Sequence, residues 1–229
     1  ILDKNYSHDF NANSRAWFLG NSLKELGNNW QKLGSRLVIE EGDPVIIIPQ
    51  LVKTIDAKFV FWNRSIEPYE INRDLQIKKN LKEQNIQVIE TWDHLLVEPL
   101  KIFSGNNKPY SVYGPFYKNL KSKMNLLGSY DQDKVVFQFK DIDNKLKENK
   151  TINSSDSVLE KFIKNIKFPG SNICPCRPGE NAAETLLENF INEKKIYSYN
   201  SARDLPSHNG TSFLSASLRF GTISIRKVW

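Results

Sequence analysis

A turn of small and hydroxyl-bearing residues near the end of the chain has the composition of an anion-binding site. Gly210-Thr211-Ser212 comes just before an apolar run with helical spacing, and Ser215 follows within that run. The first backbone N–H groups of a helix have no partner inside the helix, so they can point at an anion. The hydroxyls of Thr211, Ser212 and Ser215 can also donate to a phosphate. The alternative is a Ser/Thr helix cap without a ligand, which is a very common arrangement.

Other patterns that carry chemistry are weak. The chain has neither a Gly-x-Gly-x-x-Gly run nor a Walker pattern, so no established nucleotide loop supports the phosphate interpretation. Cys174 and Cys176 are too few to complete a tetrahedral zinc site, and their spacing is poor for a disulfide. They predict reduced thiols in a cytoplasmic protein. The three histidines suggest no catalytic constellation with a serine and a carboxylate, and we expect surface histidines.

Hydrophobic periodicity predicts the elements that must position the turn at Gly210. Short apolar strands alternate with helical patterns, which is typical of a parallel sheet covered by helices on both faces. Asp43 as N-cap and Pro44 at the first helical position mark the start of one helix. We predict helices over 14–33, 44–55, 70–84, 156–166 and 180–194, strands over 36–40, 59–62 and 87–89, and an irregular loop over 104–118.

The order of these elements predicts an α/β fold with a Rossmann-like parallel sheet, followed by the start of an all-α domain. A polar stretch rich in Asn, Lys, Asp and Ser separates the two. We predict an α/β domain over 1–127, an interdomain linker over 128–176 and the beginning of a helical domain over 177–229. The sheet is thin, the chain starts without Met, and Trp229 falls inside a helical pattern. We therefore expect a fragment, with a further strand before Ile1 and most of the helical domain after Trp229.

The overall composition restricts the class of protein. Hydrophobic residues make up 39% and charged residues 25% of the 229, which predicts a globular chain. The net charge of +6 permits an anionic partner such as DNA, although many basic proteins bind no nucleic acid. No apolar run approaches 18 residues, so we expect no membrane span. We expect a monomer.

Several separate motifs occur in a characteristic order. Pro-Gly-Glu-x-Ala-Ala at 178–183 is followed by Tyr-x-x-x-Arg-Asp-x-Pro at 199–206 and by Gly-Thr-Ser-x-Leu-Ser-x-x-Leu-x-x-Gly at 210–221. Upstream are Trp-Asn-Arg-Ser-Ile-Glu-Pro-Tyr at 62–69 and Asn-Lys-Pro-Tyr-Ser-Val-Tyr-Gly-Pro-Phe at 107–116. In order and spacing they resemble the photolyase and cryptochrome family, and the class I cyclobutane pyrimidine dimer photolyases in particular. The resemblance covers nearly the whole chain.

The resemblance implies an FAD site and a DNA contact in the second part of the chain. Tyr199 matches a tyrosine that contacts the flavin. Arg203 matches an arginine at the DNA-facing rim, where a guanidinium can hold a phosphate through two hydrogen bonds. Without the resemblance, an exposed solubilising charge is the commoner role for such an arginine. The segment that wraps the FAD phosphates matches Thr211, Ser212, Phe213, Leu214 and Ser215.

The resemblance also implies an antenna chromophore bound by the α/β domain. Its type, a folate, a deazaflavin or a flavin, stays open. Ser65 stands where relatives that carry a deazaflavin have an acid, and Glu70 resembles the acid that holds a folate in other relatives. By composition alone, a tryptophan at a strand end is more often a core residue than a ligand. The residues at the matching positions are Arg15, Trp62, Asn63, Glu67 and Glu70.

The implied function is that of a deoxyribodipyrimidine photo-lyase, a carbon–carbon lyase that repairs cyclobutane pyrimidine dimers in damaged DNA. The repair is driven by light and uses electron transfer from reduced FAD. One alternative is a cryptochrome, a blue-light sensor without repair activity on the same fold. Another is a Rossmann-like nucleotide-binding protein with a helical appendage. We expect the fragment alone to be inactive, because a flavin needs an enclosing cavity and because four apolar side chains would lack packing partners, namely Leu186, Phe190, Leu214 and Leu218.

Overall fold

The computed structural model describes residues 1–3, 13–99, 101–124, 155–164 and 176–229. The helices and strands of these residues are, in chain order, α1 (Asn13–Lys32), α2 (Pro44–Ile55), β1 (Phe59–Asn63), α3 (Pro68–Glu83), β2 (Gln87–Thr91), α4 (Tyr113–Met124), α5 (Ser155–Lys164), α6 (Glu180–Asn192), α7 (Lys195–Ala202), α8 (Ser215–Phe220) and α9 (Ile225–Val228).

The sheet in the described part of the chain consists of two parallel strands. β1 and β2 pair from Phe59 opposite Gln87 to Asn63 opposite Thr91. α3 connects them, as the crossover of a parallel pair requires. The chain therefore has the predicted α/β fold, followed by helices only. The helices predicted at the start of the chain and on either side of β1 are confirmed to within a few residues.

The predicted strand over 36–40 is wrong. Leu2 forms a single bridge with Glu41, and no described residue from 36 to 40 belongs to a strand. The Leu2 N–H donates to the carbonyl of Glu40 at 2.7 Å, and the Gly42 N–H donates to the carbonyl of Leu2 at 3.0 Å. The composition of 36–40 favours a strand, but a ladder needs a neighbouring backbone that continues residue after residue. Leu2 supplies one residue of that pairing.

The predicted loop over 104–118 is correct only for its first half. α4 begins at Tyr113 and continues to Met124. Gly114 and Pro115 are turn-forming residues by composition, which is why the sequence favoured a loop. A proline is nevertheless tolerated in the first turn of a helix, where its missing N–H would have no partner inside the helix anyway.

α2 and α3 pack together against the inward side chains of the sheet. The most buried residues of this cluster are Val52, Ile77 and Leu81. Burial of a side chain as large as Ile77 or Leu81 contributes about 1.5–3 kcal/mol each. Partly buried residues surround them, namely Val45, Ile48, Ala57, Val60, Trp62, Ile86 and Val88. This cluster holds the two strands in place and therefore sets the position of their carboxyl ends.

Two features fix α2. Asp43 caps it as predicted, since its Oδ1 accepts from the N–H of Val45 at 2.8 Å. Pro49 lies inside the helix and has no N–H to donate to the carbonyl four residues earlier, that of Val45. The side-chain amide of Asn80 in α3 donates to this carbonyl instead, in a long hydrogen bond of 3.5 Å.

α1 packs against α5 and against the beginning of α6. Three polar residues of α1, spaced three and four apart, contact the chain where α6 starts. Ser22 Oγ accepts from the N–H of Gly179 at 3.1 Å, and Glu25 Oε1 accepts from the N–H of Asn181 at 2.9 Å. The side chain of Asn29 donates to the first residue of α6 at 3.0 Å. The Pro-Gly-Glu-x-Ala-Ala motif is therefore the place where α1 and α6 meet.

The expectation that the apolar residues after position 180 lack packing partners is wrong. Leu214 is 3% exposed and lies in a buried cluster with Ala183 and Ile223. The ring of Phe190 meets the ring of Tyr199 edge to face, with centroids 6.3 Å apart. The reason is that the short helices α8 and α9 fold back onto α6. The partly buried members of this cluster are Leu186, Leu187, Leu218 and Val228.

The predicted linker contains one described helix, α5, close to the helix predicted over 156–166. Residues 125–154 and 165–175 lie outside the described residues. The boundaries at 127 and 177 therefore stay a prediction. Across the described residues, every helix is too short or too polar to cross a membrane.

Candidate functional site

The turn at residues 210–215, here called the Gly210 turn, lies between α7 and α8. Gly210 is buried against α7: an ideal Cβ on it would lie 2.4 Å from the Cβ of Ala202 and 3.0 Å from the Ala202 carbonyl carbon. No side chain fits there without moving backbone, so glycine allows a contact that other residues would prevent. The contact sets the turn beside the helix that carries Tyr199 and Arg203.

The hydroxyl groups of this turn do not cap a helix. α8 begins at Ser215, the residue before it is Leu214, and no side-chain cap hydrogen bond is made there. The side chains of Thr211 and Ser212 are half-buried, and neither hydroxyl bonds to any of the described residues. The capping alternative of the sequence therefore does not apply to Thr211 and Ser212.

The backbone of the Gly210 turn is held from two sides. Phe213 has a positive φ of 55°, which an L residue adopts only where its surroundings fix it. The thiol of Cys176 donates to the carbonyl of Phe213 at 3.5 Å. The buried side chain of Leu214 anchors the turn in the cluster of α6. Ser215 is exposed at the end of the turn. A rigid turn with two hydroxyls that bond to no described residue fits the phosphates of a dinucleotide such as FAD.

Tyr199 lies in α7, and Arg203, one turn further along, is the residue that follows the last residue of this helix. The Arg203 guanidinium carbon is 5.8 Å from the centre of the Tyr199 ring, a cation–π distance. Arg203 also lies 3.5 Å from the carboxylate of Asp204, and about half of its side chain is exposed. Tyr199 is 38% exposed. The structure thus places an accessible cation directly beside an accessible aromatic ring, at the end of the helix that Gly210 contacts through Ala202.

A second candidate site lies at the carboxyl ends of β1 and β2, here called the sheet edge (Asn63, Arg64, Thr91 and Trp92). Ligands of open parallel sheets bind at this end of the strands. Asn63 is exposed there, and its Oδ1 accepts from the Thr91 hydroxyl at 2.8 Å.

Trp62 comes just before this edge and packs on the core, as its composition suggested. Its indole Nε1 is buried, yet it has no hydrogen-bond partner among the described residues. A buried donor without a partner is unfavourable, and because this N–H is enclosed, a chromophore could accept from it only after the surrounding side chains moved.

The two candidate acids of the α/β part are close to each other at the start of α3. Glu67 is the residue before the helix and makes no side-chain cap. Glu70 is half-buried in the first turn. Arg15 is separate from them: it is exposed in the first turn of α1 and forms no ion pair or hydrogen bond with a described residue. Trp62 and Asn63 end β1 and Glu67 and Glu70 stand at the start of α3, so these four are near one another in the chain, but Trp62 and Asn63 point to opposite faces of the sheet.

One carboxylate near the sheet edge has a shifted pKa. Burial raises the pKa of Asp74 above its ordinary value, and the nearby carboxylates of Glu70 and Glu90 raise it further. The Arg73 guanidinium opposes this shift through a hydrogen bond of 2.9 Å and an ion pair of 2.7 Å. The acids beside this edge are paired with cations, since Glu90 forms ion pairs with Arg64 and Lys78 and Asp74 forms one with Arg73.

The sequence missed three residues at the sheet edge. The guanidinium of Arg64 lies 5.9 Å from the centre of the Trp92 ring. Arg226 of α9 contacts the same loop, through Asp93 and the Trp92 carbonyl. Arg64 and Trp92 directly follow β1 and β2, so their position at the strand ends could have revealed them. Nothing in the sequence could have revealed Arg226, which is separated from Asp93 by 133 residues.

Among the residues that the structure describes, no group of three or more His, Cys, Asp or Glu side chains could hold a metal ion. His94 and His208 are exposed, and Nδ1 of His208 lies 3.2 Å from the hydroxyl of its neighbour Ser207. His8 and Cys174 lie outside the described residues.

Comparison with known proteins identifies the family of the chain. The family model described as DNA photolyase matches residues 1–140. The chain is 36% identical over 220 residues to the deoxyribodipyrimidine photo-lyase of a Synechococcus species, which covers 95% of this chain and 44% of that protein. It is 29% identical to Cryptochrome-1 of Arabidopsis thaliana, over 93% of this chain and 30% of that one.

A solved structure shares the fold as well. The bacterial class III photolyase from Agrobacterium tumefaciens superimposes with a TM-score of 0.66 at 28% sequence identity, over 94% of this chain and 43% of that one. The chain thus spans less than half the length of these three relatives. Because the matched residues 1–140 are more than half of the 229, the chain belongs to the DNA photolyase family.

Proposed function

We propose that the whole protein is a deoxyribodipyrimidine photo-lyase that repairs cyclobutane pyrimidine dimers in DNA under light. The observation that carries this proposal is the 36% identity to a photo-lyase along 95% of the chain. Reduced FAD, when bound, supplies the electron that splits the dimer. The part of this chain is to bind, orient and shield, since no acid or base is needed for that chemistry.

The Gly210 turn is the proposed site of the FAD phosphates. Thr211 and Ser212 have hydroxyls that bond to no described residue, and Leu214 anchors the turn in a buried cluster. Phe213 and Ser215 complete the segment on either side of Leu214. Tyr199, next to the turn on α7, offers a ring that can pack on the flavin. These placements support the assignment because Leu214 and Tyr199 both pack on residues of α6.

The sheet edge is the proposed site of the antenna chromophore. Trp62 offers a buried indole N–H, Asn63 an exposed amide, and Glu67 and Glu70 carboxylates at the start of α3. Arg15 is retained in this proposal only on its resemblance to the family. The chromophore, whether a folate, a deazaflavin or a flavin, is identified by extracting it from the purified whole protein and recording its absorbance and mass.

Damaged DNA is the proposed partner, and Arg203 its proposed contact. The chain carries a net charge of +6, and Arg203 is accessible beside Tyr199. A dimer must leave the duplex to reach the flavin, and flipping costs least where base pairing is already damaged. A cytoplasmic monomer is part of the same proposal.

A repair assay tests the function. The whole protein, with its flavin reduced, is mixed with an oligonucleotide that contains one cyclobutane dimer, and repair is followed in blue light and in darkness. We expect loss of the dimer in light only. A protein that binds flavin but leaves the dimer intact in light would contradict the proposal. Class I membership is proposed on the motifs at 62–69 and 107–116, and sequence comparison of the complete chain with class I and class III photolyases checks it.

A cryptochrome is the second candidate function, favoured by 29% identity to Cryptochrome-1 over 93% of the chain. A cryptochrome would bind FAD and change its absorbance in light without repairing the dimer. The same assay therefore separates the two functions, since both give a yellow protein and only one gives repaired DNA.

The domain division over 1–127, 128–176 and 177–229 is also a proposal. Limited proteolysis of the chain should cut first between 128 and 175. Preferred cleavage between 59 and 90 would contradict the division. The 229-residue chain alone should neither retain stoichiometric FAD nor repair dimers, because a flavin must be enclosed over most of its surface. A yellow, active chain would show that the flavin site lies elsewhere.

A further inference from the structure

Arg226 joins the two candidate cofactor sites. It lies on α9, and its guanidinium makes two contacts with the loop that follows β2. Nη1 forms an ion pair with the carboxylate of Asp93. Nη2 donates to the carbonyl of Trp92 at 2.9 Å. One planar group is thus held at two points, which fixes its direction as well as its position.

On one side, Arg226 is connected to the Gly210 turn. α9 is packed through Val228 onto the cluster that contains Ile223 and Leu214. Its start is capped, since Ser224 Oγ accepts from the N–H of Arg226 at 3.2 Å. Leu214 is part of the Gly210 turn and is buried in the same cluster. A displacement of α9 would therefore disturb the packing of that turn.

On the other side, Arg226 is connected to the sheet edge. The ring of Trp92, whose carbonyl it holds, lies under the guanidinium of Arg64. The N–H of Arg64 donates to the carbonyl of Thr91 at 2.8 Å, which extends the pairing of β1 with β2. Thr91 in turn holds Asn63. The loop that Arg226 grips is therefore continuous with the residues proposed to bind the antenna chromophore.

We propose that Arg226 is a positioning residue that fixes the distance and orientation of the sheet edge relative to the Gly210 turn. This inference rests on the proposed function, since it is the two proposed cofactor sites that it relates. Transfer of excitation from an antenna chromophore to a flavin depends on the separation and mutual orientation of the two. Both side chains of the Arg226–Asp93 pair are partly exposed, 27% and 50%, so the pair contributes little to folding stability and its removal should leave the chain folded.

The test measures the geometry directly. Spin labels are placed on cysteines at Lys79→Cys in α3 and Glu188→Cys in α6, two exposed positions. The background carries Cys174→Ser and Cys176→Ser, and a serine at 176 keeps a donor for the Phe213 carbonyl. Pulsed electron resonance on the full 229-residue chain gives the distribution of distances between the labels. Neither FAD, antenna chromophore nor DNA is needed for this measurement.

We expect a narrow distribution of label distances for the doubly labelled protein without a substitution at Arg226. For Arg226→Gln we expect a distribution at least twice as wide. Arg226→Lys keeps a charge for Asp93 but cannot hold both contacts, so it should give an intermediate width. The matched control is Lys227→Gln on the same helix, which removes the ion pair with Glu184 inside the helical part and should leave the width unchanged. Circular dichroism verifies that each variant is folded.

Two results would overturn the inference. One is an unchanged distribution for folded Arg226→Gln. The other is equal broadening for Lys227→Gln, which would show that loss of any cation on α9 has the same effect. Failure of the proposed function gives a different pattern: the narrow distribution and its loss in Arg226→Gln would persist in a protein that repairs nothing.

Discussion

The carboxylate of Glu25 occupies the space that a side chain on Gly179 would need. An ideal Cβ on Gly179 would lie 2.1 Å from Glu25 Oε2. Gly179 has φ 99° and ψ 165°, a conformation that is nearly exclusive to glycine. The other oxygen of Glu25 accepts from the Asn181 N–H in the first turn of α6. A residue of α1, more than 150 positions away in the sequence, thus accepts a hydrogen bond from the first turn of α6.

Gly179→Ala should destabilise the chain by about 1–3 kcal/mol, because the backbone strain cannot be relieved and Glu25 must move away. Glu25→Ala should cost about 0.5–2 kcal/mol through the lost cap contact. The double variant should cost less than the sum, since Gly179→Ala has already displaced Glu25. Urea denaturation of all four proteins measures this. Strict additivity would show that the two residues act independently.

Thr211→Val combined with Ser212→Ala should weaken FAD binding by the whole protein at least about tenfold. Hydrogen bonds to charged groups are worth about 1.5–3 kcal/mol each, and two donors are removed. Ser201→Ala, which removes an exposed hydroxyl of α7 that bonds only to the Ser198 carbonyl, is the matched control. Titration with FAD, followed by flavin fluorescence, gives the affinity. Full affinity of the double variant would show that neither hydroxyl holds the phosphates.

Arg203→Ala should weaken binding of damaged DNA by the whole protein and lower the slope of log affinity against log salt by about one unit. The cation–π contact with Tyr199 orients Arg203, so the loss concerns one phosphate. Lys82→Ala, on the exposed face of α3, should change neither quantity. Binding is measured by fluorescence anisotropy between low and moderate salt. If affinity stays the same at every salt concentration, Arg203 is only a solubilising charge.

Ser217→Ala should leave the free energy of unfolding unchanged or raise it by up to about 1–3 kcal/mol. Ser217 is fully buried, and its hydroxyl has no partner among the described residues, so its removal relieves an unfavourable burial. Ser215→Ala on the same short helix is exposed and should change stability by less than about 0.5 kcal/mol. Thermal and urea denaturation compare the two. A clear loss of stability in Ser217→Ala would mean that the hydroxyl is satisfied in solution.

The pKa of Asp74 is raised by burial, so the folded chain holds this proton more tightly than the unfolded chain does. As pH rises from the ordinary value of 3.8 through the raised value, this group should lower the free energy of unfolding. At pH values above the raised pKa, this lowering of the free energy of unfolding is constant. At pH values below the ordinary pKa it is absent, because Asp74 is protonated in both states. Asp74→Asn removes the titration, so its stability relative to the unsubstituted chain should increase with pH across the window. Urea denaturation at a series of pH values measures the difference, and a difference independent of pH would contradict the assignment.

Hydrophobic periodicity predicted those helices and strands that depend mainly on the local sequence. α2 with its Asp43 cap, β1 and β2 all follow from apolar spacing and cap residues. The segment 36–40 also has the composition of a strand. A strand, however, forms only where a neighbouring backbone pairs with it over several residues, and here Leu2 forms a single bridge, with Glu41. The sequence could not indicate how many residues of another segment would pair with 36–40.

The candidate site shows the same division. The composition of the Gly210 turn predicts an anion site, and that assignment stays a prediction, whereas the reason for its glycine lies in the contact with Ala202 on α7. The sequence allowed Thr211 to cap the helix, yet α8 starts at Ser215, after the buried Leu214. Contacts such as Arg226 with Asp93 join positions 133 apart and become visible only in three dimensions.

Pro49 helps to fix the position of α3 along α2, the two helices that pack together against the sheet. Apolar side chains tolerate sliding, because a leucine displaced along a neighbouring helix finds another apolar surface. The Val45 carbonyl, which Pro49 leaves without its helical donor, does not tolerate such sliding. A shift of α3 by one helical turn, about 5.4 Å, would carry Asn80 away from this carbonyl. A carbonyl left without a donor in that interface is unfavourable by about 1–3 kcal/mol. A residue that interrupts helical hydrogen bonding therefore selects one packing arrangement from several that hydrophobic burial alone would accept.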